Sequence, residues 1–253
     1  MSTENLEKDQ EYNIYSILRD DLVGLRLKPG TFFSIKDICE IYHAGRSPVR
    51  DALIRLEQEG LITFLPQRGT MVSKLDLKRI ENERFIRKAI EEKVLEDFIG
   101  LFSPTVILLL ENCIMEQKEC FRSRDIRGFF ESDEKFHAVF FQETDRDYCA
   151  GVIEKECGNY KRMRLLTLML DESVIANTIE EHEAMVRAIS RRDLDKLMDC
   201  FSLHLDRIKP QERRLLKEFP DLFDDRDQSG TQKRRETPGL QHDFLLSIRS
   251  RGL

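Results

Sequence analysis

The sequence predicts a mainly α-helical protein in two parts: an N-terminal winged helix-turn-helix, then an all-α antiparallel bundle with short connections. Three observations carry that prediction. Between Tyr12 and Gly60, three stretches with apolar residues at helical spacing are separated by turn signals at Lys28-Pro29-Gly30 and His43-Ala44-Gly45. Two short strand-like runs, Leu61–Leu65 and Thr70–Ser73, then flank the basic turn Pro66-Gln67-Arg68-Gly69. From Leu75 to residue 217 the apolar period stays helical and no strand signal returns.

In chain order, residues 1–9 are polar and are expected to form a flexible arm. From Glu11 to Arg26, Tyr12, Tyr15, Ile17, Leu18, Leu22 and Leu25 mark an amphipathic helix, and Thr31-Phe32-Phe33 a short strand. Ser34 and Asp37 form an S-x-x-D start signal for a helix from Ile35 to Tyr42. The turn into the next helix favours a positive φ, and His43 is one of the less unlikely non-glycine residues there. In that third helix Ser47 is an N-cap type and Pro48 suits the first helical position. Val49, Ala52, Leu53 and Leu56 make one apolar stripe, and Gly60 is placed to end the helix in the left-handed conformation. Arg46, Arg50 and Arg55 lie off the stripe. A helix whose exposed N-terminal end carries guanidinium groups can enter a major groove and pair with guanine edges. A solvated surface helix would carry the same charges, and it is the flanking helices and basic hairpin that favour DNA. Residues 10–74 are therefore expected to form a DNA-binding domain.

In the second part, Ile80, Phe85, Ile86, Ala89, Ile90, Val94, Leu95, Phe98 and Ile99 follow helical periodicity, and Ser103-Pro104 opens another helix. Further helices are expected over roughly Asp125–Glu143, Asp147–Leu170, Ser173–Ser190 and Asp193–Ile208. Together they make residues 75–217 one all-helical domain for metal and effector, followed by a polar, disordered tail over 218–253. A length of 253 residues at 40% apolar content allows two cores. The net charge of −6 argues against a chain coated in basic residues but leaves room for a local basic face. Six cysteines without a C-x-x-C pair fit free thiols in a reducing compartment. Neither a signal peptide nor an apolar run of membrane-spanning length is seen, so a cytoplasmic protein without a membrane partner is expected.

Three of the five histidines stand out. Asp133 and His137 lie four residues apart and so share one helix face, while His182 and His204 sit on two later helices. Three imidazoles and a carboxylate suit a divalent ion: zinc first, or nickel, manganese or iron in a more open geometry. Singly, each histidine reads as a surface or hydrogen-bonded core residue, and Glu180, Glu181 and Glu183 give His182 a solvated look. Arg87 and Glu91 read as a helix-surface ion pair.

The segments LKPG, GRSPVRDALIRLEQEGLI and PQRGTMV, within Ile14–Val72, resemble the GntR family of bacterial transcription regulators in order and spacing. The resemblance implies that Lys36, Arg46, Ser47 and Arg50 contact DNA at or near the major groove, and that Arg68 and Gly69 put the wing tip into the minor groove. His43 stands where the family usually has Gly, and Gly45 where it has a hydroxyl residue, which removes one expected phosphate contact. DEKFH, EEHEAMVRAISRRD and CFSLHLDRI, within roughly Leu75–Arg207, resemble the FCD-type ligand-binding domain of the FadR branch. That implies a metal held by Asp133, His137, His182 and His204 at the floor of a pocket, with Arg87 of FIRKAIEEKVLE contacting the effector. Thr144-Asp145-Arg146 replaces the Thr-Gly-Asn common in that branch. The function expected is a homodimeric regulator of double-stranded DNA on a palindromic operator, controlled by a small carboxylate effector. Two alternatives stand beside it: a metal-dependent hydrolase fused to a winged helix, and a regulator with a purely structural metal. No nucleophile motif or phosphate-binding glycine loop supports the hydrolase.

Overall fold

The computed structural model describes residues 14–224, and the chain forms two compact units. Of the described residues, the first comprises 14–80, Lys161–Met163 and 215–224; the second comprises Glu81–Tyr160 and Arg164–Arg214. The expected arm over 1–9, the start of the first helix and residues 225–253 of the expected tail lie outside the described residues.

In the first unit, α1 (residues 14–23) is followed by β1 (Phe32–Phe33), α2 (Ile35–Ile41), α3 (Arg46–Gln58), β2 (Ile62–Leu65) and β3 (Gly69–Val72). Ser34 and Asp37 close the expected capping box on α2, each side chain bonding the other's backbone N–H. The start of α3 is one place where the sequence reading is corrected. Gly45 is the N-cap, in an extended conformation without a side-chain cap, so Ser47 and Pro48 are the second and third helical residues. Proline is tolerated there because the first four N–H groups of a helix have no partner within it. Gly60 closes α3 at φ +70 as expected, and His43 takes φ 51 in the turn before it. The antiparallel sheet has the order β1-β3-β2, with Ile62 opposite Val72 and Phe32 opposite Met71. Its inner face joins Leu18, Leu22, Ile38, Val49, Leu53 and Leu56 in one core. A polar lock fixes the far end of α3: the Tyr15 hydroxyl and Arg19 both donate to Glu59, and the Arg55 guanidinium lies 3.6 Å from the centre of the Tyr15 ring.

Helix α4 (Leu77–Leu101) continues from the first unit into the second, which adds α5 (Pro104–Ser123), α6 (Ile126–Glu143), α7 (Asp147–Glu156), α8 (Gly158–Leu170, apart from Lys161–Met163), α9 (Glu172–Ser190) and α10 (Leu194–Asp206). Asp125, Asp171 and Asp193 cap α6, α9 and α10 through N–H groups of the first turn. Helices α5 and α6, α5 and α9, and α9 and α10 pack as pairs. Phe98, Phe129, Phe136, Phe140 and Phe201 are wholly buried, and Phe98 meets Phe140 edge to face at 5.0 Å.

Three further expectations need correction. The single helix expected over Asp147–Leu170 is two, broken at Cys157, because the buried Glu83 carboxylate takes the Tyr160 N–H and the Asn159 amide at the new start. The helix expected to run to Ile208 ends at Asp206, and α11 (Ile208–Glu218) begins after a turn. The disordered tail expected over 218–253 is ordered over its described part, up to residue 224. A short 3₁₀ turn, Pro220–Leu222, leads to Phe223, and Leu222 and Phe223 are buried while their backbone pairs with Leu75. Two apolar side chains inside an acidic stretch are enough to hold it down.

Candidate functional site

Helix α3 presents Arg46, Ser47 and Arg50 together at its exposed N-terminal end. Among the described residues, Arg50 is tethered only by a 3.5 Å approach to Asp51, and Lys36 on α2 only by a 3.5 Å pair with Glu40, both well exposed. Such surface pairs contribute little and yield readily to a stronger anion such as a phosphate. At the wing turn the Arg68 guanidinium lies 5.2 Å from the centre of the Phe32 ring. Gly69 beside it has φ +91, and a Cβ there would stand 3.3 Å from the Phe33 carbonyl oxygen, so the tip has little room for anything but glycine.

In the second unit, Asp133, His137, His182 and His204 each offer one ligand atom, all within 4.8 Å of one another. Asp133 and His137 come from α6, His182 from α9 and His204 from α10. A partner behind each imidazole fixes its orientation. His137 Nδ1 lies 2.8 Å from Glu91 Oε2, His182 Nδ1 2.9 Å from Gln117 Oε1, and His204 Nδ1 3.2 Å from Glu181 Oε2. The His137–Glu91 approach is short, although its angle falls outside that of a well-directed hydrogen bond. If each Nδ1 carries the proton toward its acceptor, all three Nε2 lone pairs face inward, the tautomer a metal requires. His137 Nε2 and His204 Nε2 are then 3.2 Å apart, and the fully buried His182 Nε2 has no hydrogen-bond partner, with Asp133 Oδ1 at 3.6 Å. An orphaned acceptor in a dry core is costly, and a cation among these four groups would remove that cost. The residues fit a divalent ion.

Electrostatics point the same way. Burial, then the charges of His204 and His137, push the His182 imidazole well below its ordinary value, while Asp133 only partly opposes them. Burial works against ionisation of Asp133, yet the Arg164 guanidinium overrides it and holds the carboxyl well below the usual range. Burial likewise lowers His204, and neutral imidazoles at His182 and His204 beside an ionised carboxylate are protonation states that suit a ligand set.

Above the cluster a pocket is lined by Asp133, Tyr160, Arg164, Thr167, Leu168, Val174, Thr178, His204, Arg207 and Ile208. Arg164 donates to Asp133 and Glu134, and Arg207 grips Glu181 through two nitrogens. Arg87 is not among the lining residues. It is buried, with Nε 2.6 Å from Glu91 and Nη1 3.2 Å from Glu134, so the expected surface pair with Glu91 is an internal one. His182 is fully buried, rather than solvated as its acidic neighbours suggested, and Glu181 among those neighbours is buried as well.

Comparison with known proteins accounts for both halves. Residues 10–72 match the family model described as bacterial regulatory proteins, gntR family, and residues 84–207 match the FCD domain. The HTH-type transcriptional repressor RspR of Escherichia coli K12 is 30% identical over 210 residues, covering 83% of this chain and 92% of that protein. The chain belongs to the GntR family. The gluconate operon transcriptional repressor of Bacillus subtilis is a further relative, 25% identical over 82% of this chain and 79% of its own length. Two solved structures share the fold: a putative GntR regulator from Rhodococcus sp. RHA1, with TM-score 0.68 at 16% identity, and E. coli McbR/YncC, with TM-score 0.67 at 17%. The first match covers 83% of this chain and 99% of that one, the second 83% and 97%.

This GntR-family chain is therefore a DNA-binding transcription regulator, and the hydrolase reading falls, because its matched domains and relatives are regulators rather than enzymes. FCD domains commonly bind a metal and small-molecule effectors. Among the described residues, no helix of the regulator is long and apolar enough to cross a membrane. The sequence reading missed Gln117, Arg164 and Arg207. Gln117 carries no signal beyond a polar residue on the apolar stripe of α5, and Arg164 shows only as an arginine in the apolar run before Leu170.

Proposed function

We propose that the protein controls transcription as a homodimer on a palindromic operator, with operator affinity set by a small organic acid bound over a metal held by Asp133, His137, His182 and His204. The observation that carries this reading is the convergence of three backed imidazoles and one carboxylate on a point where a buried nitrogen lacks a partner. A divalent ion there, with zinc the first candidate and nickel, manganese or iron behind it, would supply two positive charges at the pocket floor. The surrounding residues make that charge decisive. Arg87, Arg164 and Arg207 stand against Glu91, Asp133, Glu134 and Glu181, three guanidiniums to four carboxylates. The site has one net negative charge without the ion and one net positive charge with it, so an anion is favoured only in the loaded protein.

Contact with the acid is assigned to Arg164, which lines the pocket, in place of Arg87. Arg87 holds Glu91 and Glu134, and Glu91 in turn stands behind His137. On the DNA side, Arg46, Ser47 and Arg50 read or border the major groove with Lys36 nearby, and Arg68 and Gly69 enter the minor groove. A protein acting on bacterial operators works in the cytoplasm. Elemental analysis of gently purified protein tests the core of this reading. About one divalent ion per chain is expected, following from the four-ligand set, and its loss from the His137→Ala/His182→Ala/His204→Ala protein. Equal metal content in the two proteins would refute it.

A further inference from the structure

The segment that follows the wing is gripped twice, by elements that both continue from the pocket. Helix α8 carries pocket residues Tyr160 and Arg164 on one face. Arg162, about 200° round the helix from each, is wholly buried and donates from Nη2 to the Ser73 carbonyl at 2.7 Å. Helix α11 starts at Ile208, which lines the pocket directly after Arg207, the residue that holds Glu181 behind His204. Its far end leads into the strap Pro220–Asp224. There the Leu75 N–H donates to Leu222 O and the Asp224 N–H to Leu75 O, both at 2.9 Å. Leu75 and Phe223 are fully buried and Leu222 nearly so. The strap lies beyond both family-matched stretches, which end at residues 72 and 207, and Ser73 and Leu75 lie between them.

We propose that α11 with its strap, seconded by Arg162 on α8, is the element through which occupancy of the donor cluster reaches the residues at the foot of the wing. The proposal rests on the metal-pocket reading above. A change at Arg207 or Ile208 is passed along a hydrogen-bonded helix to Leu75, three residues from the last strand residue of the wing. Coupling of this kind is reciprocal, so operator DNA alters zinc affinity by the same factor as zinc alters operator affinity.

Zinc alone is the probe, with duplex DNA selected by the protein from a random pool as operator. Hydrogen exchange at the Leu75 and Asp224 amides is followed in full-length protein with and without zinc, and a change of about tenfold is expected. Operator affinity is then measured with and without zinc in wild type, Phe223→Ala and Asp224→Pro. Asp224→Pro removes the N–H that donates to Leu75 O together with the carboxylate, and Phe223 already has the extended backbone that a following proline demands, φ −102 and ψ 155. It carries the test if Phe223→Ala fails to fold. Wild type should show a zinc-dependent difference of about fivefold or more, within the usual range of coupling. Both variants should fall below twofold with zinc content unchanged. Exchange at the two amides that ignores zinc, operator affinity that ignores zinc in wild type, or variants that respond like wild type would each overturn the inference. A wild type that binds no zinc would overturn the functional reading itself, and the inference with it.

Discussion

What stands behind each imidazole decides how well it can serve as a ligand, and Gln117 is the clearest instance. Its Oε1 is the acceptor for His182 Nδ1, while its Nε2 donates to the Ser132 carbonyl at 3.4 Å, so a single side chain orients the deepest histidine. Gln117→Leu should weaken metal affinity about 10–100-fold, the usual cost of losing such support. Competition with a chromophoric chelator measures this, and unchanged affinity would remove Gln117 from the site. Arg50→Ala should weaken operator binding by about 1–3 kcal/mol and relax one base position if the contact is bidentate to guanine. A binding assay across single-base operator variants would show it, and an unchanged preference would take Arg50 off the base edges. At this scale the sequence was legible where spacing carries the information: Asp133 and His137 are one helical turn apart. Gln117, Glu91 and Glu181 were not legible as supports, because they reach the histidines from α5, α4 and α9 by packing that no local pattern records.

Among the elements, the capping box of α2, the left-handed Gly60 and the two strands of the wing could be read because each rests on chemistry within a few residues. The break at Cys157 could not, since its cause is Glu83, more than seventy residues away. The strap was hidden for a related reason: composition over 218–253 averages two buried apolar side chains into a polar background. The lock on α3 has a consequence at alkaline pH. Burial, then the hydrogen bond to Glu59 and that residue's charge, push the Tyr15 hydroxyl up to about 12. A folded value above the unfolded one near 10 means the native state keeps the proton after the unfolded chain has lost it. The stability so contributed is complete below about pH 10 and lost as pH rises toward about 12. Urea denaturation between those values should show a shallower fall for Tyr15→Phe than for wild type. Tyr42 and Tyr160, also raised, sustain the remainder. Parallel falls would show that Tyr15 keeps no such proton.

For the molecule as a whole, a net charge of −6 is compatible with DNA binding because Arg46, Arg50 and Arg68 are gathered at one helix end and one hairpin tip. One winged helix offers too little contact for tight specific binding, so the protein should sediment as a dimer at operator-binding concentrations. A monomer there would contradict the proposed operator symmetry. Regulation by an acid requires that the ligand prefer one DNA-binding state over another, and a tenfold preference, about 1.4 kcal/mol, limits the shift one site can produce. The most direct measurement is operator affinity of zinc-loaded wild type and Arg164→Ala across a panel of small organic acids and matched uncharged sugars. At least one acid should change wild-type affinity by about tenfold, with no response to the sugars and none in Arg164→Ala. Equal response to acids and sugars, or an Arg164→Ala protein that responds at wild-type concentrations, would contradict control by an anion in this pocket.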